Sequence, residues 1–405
     1  MTNTAILAAS ALLLFAYLLD IVGRRWKLPS VVLLIGTGIA LRQVINSLDL
    51  HLGWVDPIVP VIGTLGLILI VLEGALDLTV SRERVGLIAL SSVSTLLGFC
   101  TTFAAFAALF HYVLYLDVPI AVLAAIPFAV ISSAVAIPAA QGLSNQPREF
   151  VIYESSLSDI LGVLVFYAWQ NANGSLEMFS FDLMGGGAIS LLTAIAAAIA
   201  LYYFINQLEG HVRFLPLIAG LICLYAVGKE LHLSPLILVL GCGLLINNPH
   251  LITWSTWLRS QHSANYDQTL KEFKGLVAEL TFATKSFFFL LLGFWTNLEQ
   301  MVSLQAWTVA GAGMVVIYGS RWLILKLLRQ KAAAQLLWIA PRGLITVLLF
   351  LSANDSGKLK GFPFGAVMLI VLATAAFTAL AHRQTARTPK DAGVVEPLAA
   401  PPPGS

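Results

Sequence analysis

Residues 118–141 read VPIAVLAAIPFAVISSAVAIPAAQ, and residues 150–170, a short turn later, read FVIYESSLSDILGVLVFYAWQ. The first run carries no charge and is long enough to cross a hydrocarbon layer about 30 Å thick as a helix. It nevertheless holds Pro127, Ser132, Ser133 and Pro138. Prolines there free backbone carbonyls in mid-membrane, so the run is expected to be an interrupted helix. The second run places Glu154, Ser155, Ser156, Ser158 and Asp159 within a few residues of one another. On a helix Ser155 and Asp159 share one face, as do Glu154 and Ser158, so hard oxygen ligands point from adjacent faces. Such ligands suit a small cation or a proton.

Outward from these two runs the pattern repeats. Apolar stretches fall near 4–20, 28–45, 54–76, 86–112, 118–141 and 150–170, then near 184–205, 212–228, 232–247, 273–296, 302–328, 333–352 and 362–381. The chain is 58% apolar and 11% charged, with a mean hydropathy of +0.86, against about 25% charged in an ordinary soluble domain. The expected class is an all-α polytopic membrane protein of about thirteen spans, filling residues 1–381. The remainder, 382–405, ends in Pro401, Pro402 and Pro403 among alanines and reads as a disordered cytoplasmic tail. A formal charge of +2 leaves no basic face for nucleic acid. No Walker A lysine motif and no GxGxxG occurs, so neither nucleotide nor cofactor is called for. Cys100, Cys223 and Cys242 are isolated in apolar runs and read as packing residues.

Charge placement orients the chain. Among Lys and Arg, only Arg42, Lys229, Lys358 and Lys360 fall in even-numbered connections, and Lys285 and Arg342 fall within spans. All the others lie in odd-numbered connections and the tail, which places the N-terminus outside and the C-terminus in the cytoplasm. The first span has no basic segment before it, its positive charges following at Arg24, Arg25 and Lys27, so it reads as a retained helix. Compactness and a short tail suggest a bacterial inner membrane.

An ionisable group at membrane depth costs about 2.5–3.5 kcal/mol or more, so each needs a partner, a water-filled cavity or a task. Glu73, Asp77, Glu154, Asp159, Glu279, Lys285 and Arg342 qualify. Asp77 and Glu279 lie near helix ends and read as interfacial. Lys285 either snorkels or pairs internally. Arg342, in mid-span, cannot snorkel, and Glu154 is its expected ion-pair partner. Span twelve is interrupted by Pro341-Arg342-Gly343, as span five is by its prolines. These two occupy matching positions if spans 1–6 and 8–13 are inverted repeats, and interrupted helices so placed point to a midplane transport site.

With these residues in view, the chain resembles the monovalent cation/proton antiporters, most closely the NhaP-type sodium/proton antiporters. Glu154-Ser155-Ser156-Leu157-Ser158-Asp159 is similar to that family's Glu-Ser-x-x-Asn-Asp on helix six. Pro341-Arg342-Gly343 is similar to its Arg-Gly on helix twelve, and Val71-Leu72-Glu73-Gly74-Ala75-Leu76 to its Phe-Glu-Gly-Gly-Leu on helix three. Arg321 matches a family arginine on helix eleven. The resemblance implies that Asp159 binds cation and proton in competition, that Ser155, Glu73 and interrupted helix five complete the shell, that Glu154 pairs with Arg342, and that the protein is a homodimer. Two positions depart from the pattern. The family's Thr-Asp-Pro is Ser132-Ser133-Ala134 here, and its Asn before the aspartate is Ser158. Both changes make the site less acidic and leave sodium, potassium and lithium open as substrates. Lys285 lies outside the pattern.

The physics of one buried carboxyl gives the mechanism. Apolar surroundings favour its neutral form and a bound cation its ionised form, so the site holds a proton or a cation in turn. Rocking of spans five, six, twelve and thirteen against the rest would expose it to each side. Exchange is electroneutral if Asp159 alone titrates and electrogenic if Lys285 also releases a proton. The rival reading is a proton-coupled symporter or exporter of a small organic ion, with Arg342 facing the substrate. A scaffold has no use for midplane charges. An enzyme is disfavoured, since Asp159 has no second aspartate at protease spacing and no Ser-His pairing is visible.

Overall fold

In hydrocarbon a backbone can satisfy its own polar groups only as a helix or a closed barrel, and the computed structural model is helical along every apolar run. It describes residues 2–26, 30–47, 58–172, 174–181, 187–207, 214–231, 235–252, 266–296, 298–330, 332–355 and 362–385, with residues 183, 185, 233, 357 and 359 singly. Helices α1 (Thr2–Trp26), α2 (Ser30–Ser47), α3 (Ile58–Asp77) and α4 (Val85–Val113) come first. Then follow α5 (Val118–Ala129), α6 (Ser133–Ala139), α7 (Asn145–Ala172), α8 (Leu176–Phe181), α9 (Gly187–Asn206), α10 (Phe214–Glu230) and α11 (Pro235–Asn247). The last group is α12 (Tyr266–Trp295), α13 (Leu298–Val302), α14 (Leu304–Leu327), α15 (Ala333–Leu336), α16 (Leu344–Asp355) and α17 (Phe364–Thr385). No strand occurs among the described residues.

By length and composition six described segments can cross a membrane: 85–113, 118–142, 145–172, 187–206, 266–294 and 304–327. The other expected spans carry shorter apolar helices or apolar segments, and α3 and α10 are the apolar helices of the third and eighth spans. Residues 382–385 continue α17, and the rest of the expected tail lies outside the described residues.

Span five is α5 plus α6, and span twelve is α15 plus α16. The interruption in span five does not fall at its prolines. Pro127 and Pro138 both sit inside the half-helices, and the break is the extended stretch Val130–Ser132 between them. The two breaks cross: the Ser132 amide donates to the Pro341 carbonyl at 2.9 Å. Glycine makes this approach possible, because a Cβ on Gly343 would land on the Ser132 hydroxyl and one on Gly162 of α7 would land on Val130. The same device joins α2 to α12, where a Cβ on Gly38 would meet the Leu290 carbonyl and one on Gly293 the Ile35 carbonyl.

Packing fixes the crossing in place. Phe128, near the end of α5, stacks on Phe106 of α4 with ring centroids 4.9 Å apart and meets Phe110, Phe350 and Phe362 edge-on or tilted. All five except Phe362 are buried. Trp169 of α7 donates to the Pro119 carbonyl at 3.1 Å, tying the far end of α5 to α7. Large exposed side chains such as Leu14, Leu192, Leu304 and Val315 form the outer apolar surface, as expected of helices facing lipid rather than water.

Candidate functional site

Each break is held by the helix that follows it. In the first, the Ser158 hydroxyl of α7 accepts from the Ile131 amide at 2.9 Å, and Asp159 Oδ2 accepts from the Ser133 amide at 3.1 Å. In the second, Thr374 of α17 accepts from the Arg342 amide at 2.9 Å, and Thr378 donates to the Trp338 carbonyl at 3.0 Å. An interrupted helix leaves amides and carbonyls without helical partners, and these side chains supply them.

Asp159 of α7 is buried at 5% exposure, against the amide that opens α6. Its second oxygen, Oδ1, is buried with no hydrogen-bond partner among the described residues, and the same holds for the Ser132 and Ser156 hydroxyls. Asp159 lines a small cavity with Ser133, Ser156, Ile70, Val71, Gly74 and Leu240, among others, with free space of about 10 Å³. That is close to the space one water-sized sphere needs. A carboxyl group, two serines and apolar walls thus surround room for one small occupant.

The expected Glu154–Arg342 ion pair is not the pair that forms. Glu154 Oε1 meets Arg321 Nη1 of α14 at 2.5 Å and accepts from the Ser94 hydroxyl of α4 at 2.6 Å. Thr95 donates to the Glu154 carbonyl at 3.1 Å. Arg342 instead serves backbone: its Nε donates to the Phe128 carbonyl at 2.6 Å and its Nη1 to the Ala340 carbonyl at 3.2 Å. The reason is local. Phe128 lies at the C-terminal end of α5, whose last carbonyls lack helical donors, and a guanidinium there satisfies both the hydrogen bond and the negative helix end. Arg321 does the same at α15, donating from Nε to the Leu336 carbonyl at 3.2 Å. Its core-facing position was legible: Gly313, Ile317, Arg321 and Ile324 form one buried stripe at helical spacing. Ser94 and Thr95 went unread, although Ser91, Ser94, Thr95 and Thr102 trace a hydroxyl stripe along α4.

Lys285 of α12 pairs with Glu73 of α3, Nζ to Oε2 at 2.7 Å, with both side chains partly exposed. Glu73 is therefore neutralised, and the α3 residues that line the Asp159 cavity are Ile70, Val71, Gly74 and Ala75. Ser155 donates to the Val151 carbonyl of its own helix at 2.7 Å and does not line that cavity. Ser132 packs against Gly343 at the crossing. The structure thus gathers Asp159, Ser133 and the unforeseen Ser156 around the cavity, Ser132 and Ser158 at the break, and Glu154 with Arg321 behind it.

Four charged side chains are buried around the crossing, Glu154, Asp159, Arg321 and Arg342. Their formal charges cancel when Asp159 is ionised. Among the described residues no cluster of His, Cys, Asp or Glu could hold a polyvalent metal.

Two solved structures of the sodium proton antiporter MjNhaP1 from Methanocaldococcus jannaschii are similar in fold. One, obtained at pH 8, has a TM-score of 0.74 and 18% identity, covering 95% of this chain and 99% of that one. The other, from electron microscopy, has a TM-score of 0.70 and 19% identity, covering 95% and 98%. No curated protein matches the sequence. The family model for the sodium/hydrogen exchanger transmembrane region matches residues 10–385, and the chain belongs to that family.

Proposed function

We propose that the cation/proton exchange of this family takes place in this chain at Asp159, with a monovalent cation and a proton competing for one carboxyl. The observation that carries the reading is the buried Oδ1 with no partner among the described residues, on an aspartate that lines a cavity of one-ion size together with Ser133 and Ser156. A dehydrated cation of charge +1 needs several oxygen ligands. Asp159, Ser133 and Ser156 lie at the cavity; Ser132 precedes Ser133 in the break, and Ser158 of α7 bonds the break at Ile131. Ser155 and Glu73, the family's ligands by resemblance, join this shell only if Ser155 turns away from Val151 and the Lys285–Glu73 pair opens.

Sodium is the first candidate, with potassium or lithium also fitting a shell that holds one carboxylate. With Asp159 as the single titrating group the exchange is one for one and electroneutral. Release of a proton by Lys285 would make it electrogenic. The moving unit in this reading is the crossing itself, α5, α6, α15, α16 and the helices α7 and α17 that hold it, rocking against the rest. The protein acts as a homodimer in a bacterial inner membrane, N-terminus outside; charge bias supports the orientation and family resemblance the dimer. The organic-ion reading is disfavoured by the same geometry. The Arg342 side chain is engaged by two carbonyls, and the cavity at Asp159 has no room for an organic ion.

The test is reconstitution of the parent and Asp159→Asn in liposomes with an internal pH dye, under an imposed proton gradient, with sodium, lithium, potassium or choline added in turn. The parent should collapse the gradient with at least one metal cation and not with choline, and the variant with none. A variant that exchanges as fast as the parent would remove Asp159 from the mechanism.

A further inference from the structure

A groove of about 540 Å³ lies at the end of α14, far along the chain from the residues that hold Asp159. Its lining is Trp322, Leu325, Lys326, Arg329, Gln330, Ala333, Ala334 and Leu337. We propose that this groove binds the headgroup of an anionic phospholipid, with the phosphate between Lys326 and Arg329 and an acyl chain running down the exposed apolar face of α14. The proposal rests on the chain lying in a membrane and is independent of the role given to Asp159.

Three observations converge on it. First, Lys326 Nζ sits 4.7 Å from the ring centroid of Trp322, which is itself half exposed. An indole with a cation beside it is the pairing that belongs at the headgroup level of a bilayer, where apolar body and polar tip are both served. Second, α14 ends in a turn in which the Arg329 amide donates to the Lys326 carbonyl and the Gln330 amide to the Leu325 carbonyl, both at 3.1 Å. The residue that must take the left-handed conformation in such a turn is usually glycine. Here it is Arg329, at φ 49°, so a guanidinium stands at the groove where backbone geometry favours no side chain at all. Third, Gln330 also lines the groove, and its Nε2 is buried with no hydrogen-bond partner among the described residues, a donor that reaches a phosphate there once the side chain turns outward.

The remaining lining, Leu325, Ala333, Ala334 and Leu337, is apolar, and Leu323 and Leu327 continue an exposed apolar surface along α14. A free phosphate has no use for that surface, whereas a phospholipid covers it. This connection is one of those whose Lys and Arg bias places it on the cytoplasmic side, the leaflet in which anionic headgroups attract basic segments.

The test uses purified full-length protein and two variants, Lys326→Gln and Arg329→Gly. The second removes the guanidinium while supplying the residue the turn prefers, so loss of lipid binding cannot be put down to misfolding. Retained lipid is read by native mass spectrometry, and thermal midpoints are read in detergent with phosphatidylglycerol, phosphatidylcholine or soluble glycerol phosphate. The parent should retain phosphatidylglycerol over phosphatidylcholine and melt higher with it, and retention should fall about five-fold for each cation removed. Exchange in phosphatidylcholine liposomes should be the same for all three proteins. Equal retention by parent and variants, equal retention of the two lipids, or equal protection by glycerol phosphate would each overturn the lipid assignment.

Discussion

The ion pair behind the site offers the most exposing experiment, because sequence and structure name different partners for Glu154. Glu154 Oε1 takes two charge-assisted hydrogen bonds, from Arg321 at 2.5 Å and from Ser94 at 2.6 Å. Bonds to a charged group contribute about 1.5–3 kcal/mol each, and removing one member of a buried pair typically costs about 3–5 kcal/mol because the other charge is stranded. Arg321→Gln leaves Glu154 with Ser94 alone, and Glu154→Gln leaves Arg321 with the Leu336 carbonyl alone. Each single variant should therefore lose about 3–5 kcal/mol. The double variant strands neither charge, so its loss should fall short of the sum by about 2–3 kcal/mol. The assay is reversible unfolding in mixed micelles, run as a full cycle and repeated with Arg342→Gln in place of Arg321→Gln. Arg342 binds two carbonyls rather than Glu154, so its coupling to Glu154 should be below about 1 kcal/mol. A coupling as large for Arg342 as for Arg321, or additive losses for Glu154 and Arg321, would refute the reasoning.

The other expectations concern the crossing and its occupant. Gly162→Ala drives a methyl into Val130 and should cost about 1–3 kcal/mol, as overpacking does; Val130→Ala in the same protein should restore most of it in the same unfolding assay. Ser156→Ala should raise the apparent KM for the cation about ten-fold with little change in maximal rate, while Ser155→Ala should change it less, both read as initial rates of dye response in liposomes. Competition at one carboxyl requires the apparent KM for the cation to rise about ten-fold per unit of falling pH on the acid side and to level off on the alkaline side; a hundred-fold rise per unit would mean two protons. Lys285→Gln with Glu73→Gln should leave charge movement in voltage-clamped liposomes at zero if exchange is electroneutral, and a current in the parent lost in this variant would assign the second proton to Lys285.

How much of this was legible follows from what hydrocarbon enforces. Apolar length alone places the helices, since no other described structure meets the backbone's needs there, and every expected span coincides with a helix or a broken pair. The breaks were legible as a pair, from prolines and from Pro341-Arg342-Gly343, and the second falls where that triplet stands; the first falls between its prolines and not at either. Proline disturbs the turn before it, whereas the extended residues Val130–Ser132 are set by the need to pass Pro341 and Gly343 at backbone distance. That need exists only in three dimensions. The Glu154 partner was misread for a related reason: a charge in mid-span demands a partner of opposite sign, yet Arg342 finds its partners in carbonyls that only a broken helix exposes. Periodicity does not separate Ser156 from Ser155, because neighbours on a helix differ by about 100° and nothing in the spacing says which face meets the break.

The two breaks are built alike and charged differently, and that difference bears on how exchange can occur. At each break the following helix supplies two side chains, Ser158 and Asp159 from α7 and Thr374 and Thr378 from α17. The correspondence is what the proposed inverted repeats would produce. In the second break the stabilising cation, Arg342, is on the interrupted segment itself and reaches across to the carbonyl end of α5, while in the first the ionisable group is the Asp159 carboxyl at the amide end of α6. Arginine does not lose its proton under ordinary conditions, so the carbonyl ends at Phe128 and Leu336 keep fixed partners throughout a cycle. In the proposed mechanism Asp159 is the one member of the buried four whose charge is balanced by whatever enters the cavity. With it ionised and nothing bound, the four charges cancel around an oxygen that has no partner among the described residues; with a proton or a cation bound as proposed, that oxygen would be satisfied and the group would carry +1 in either case. Proton-loaded and cation-loaded crossings are then electrostatically alike and can move by the same path, while the empty crossing keeps a buried carboxylate oxygen bare. That asymmetry would make the empty unit the slow one to rock, and a slow empty step is what couples outward movement of one ion to inward movement of the other.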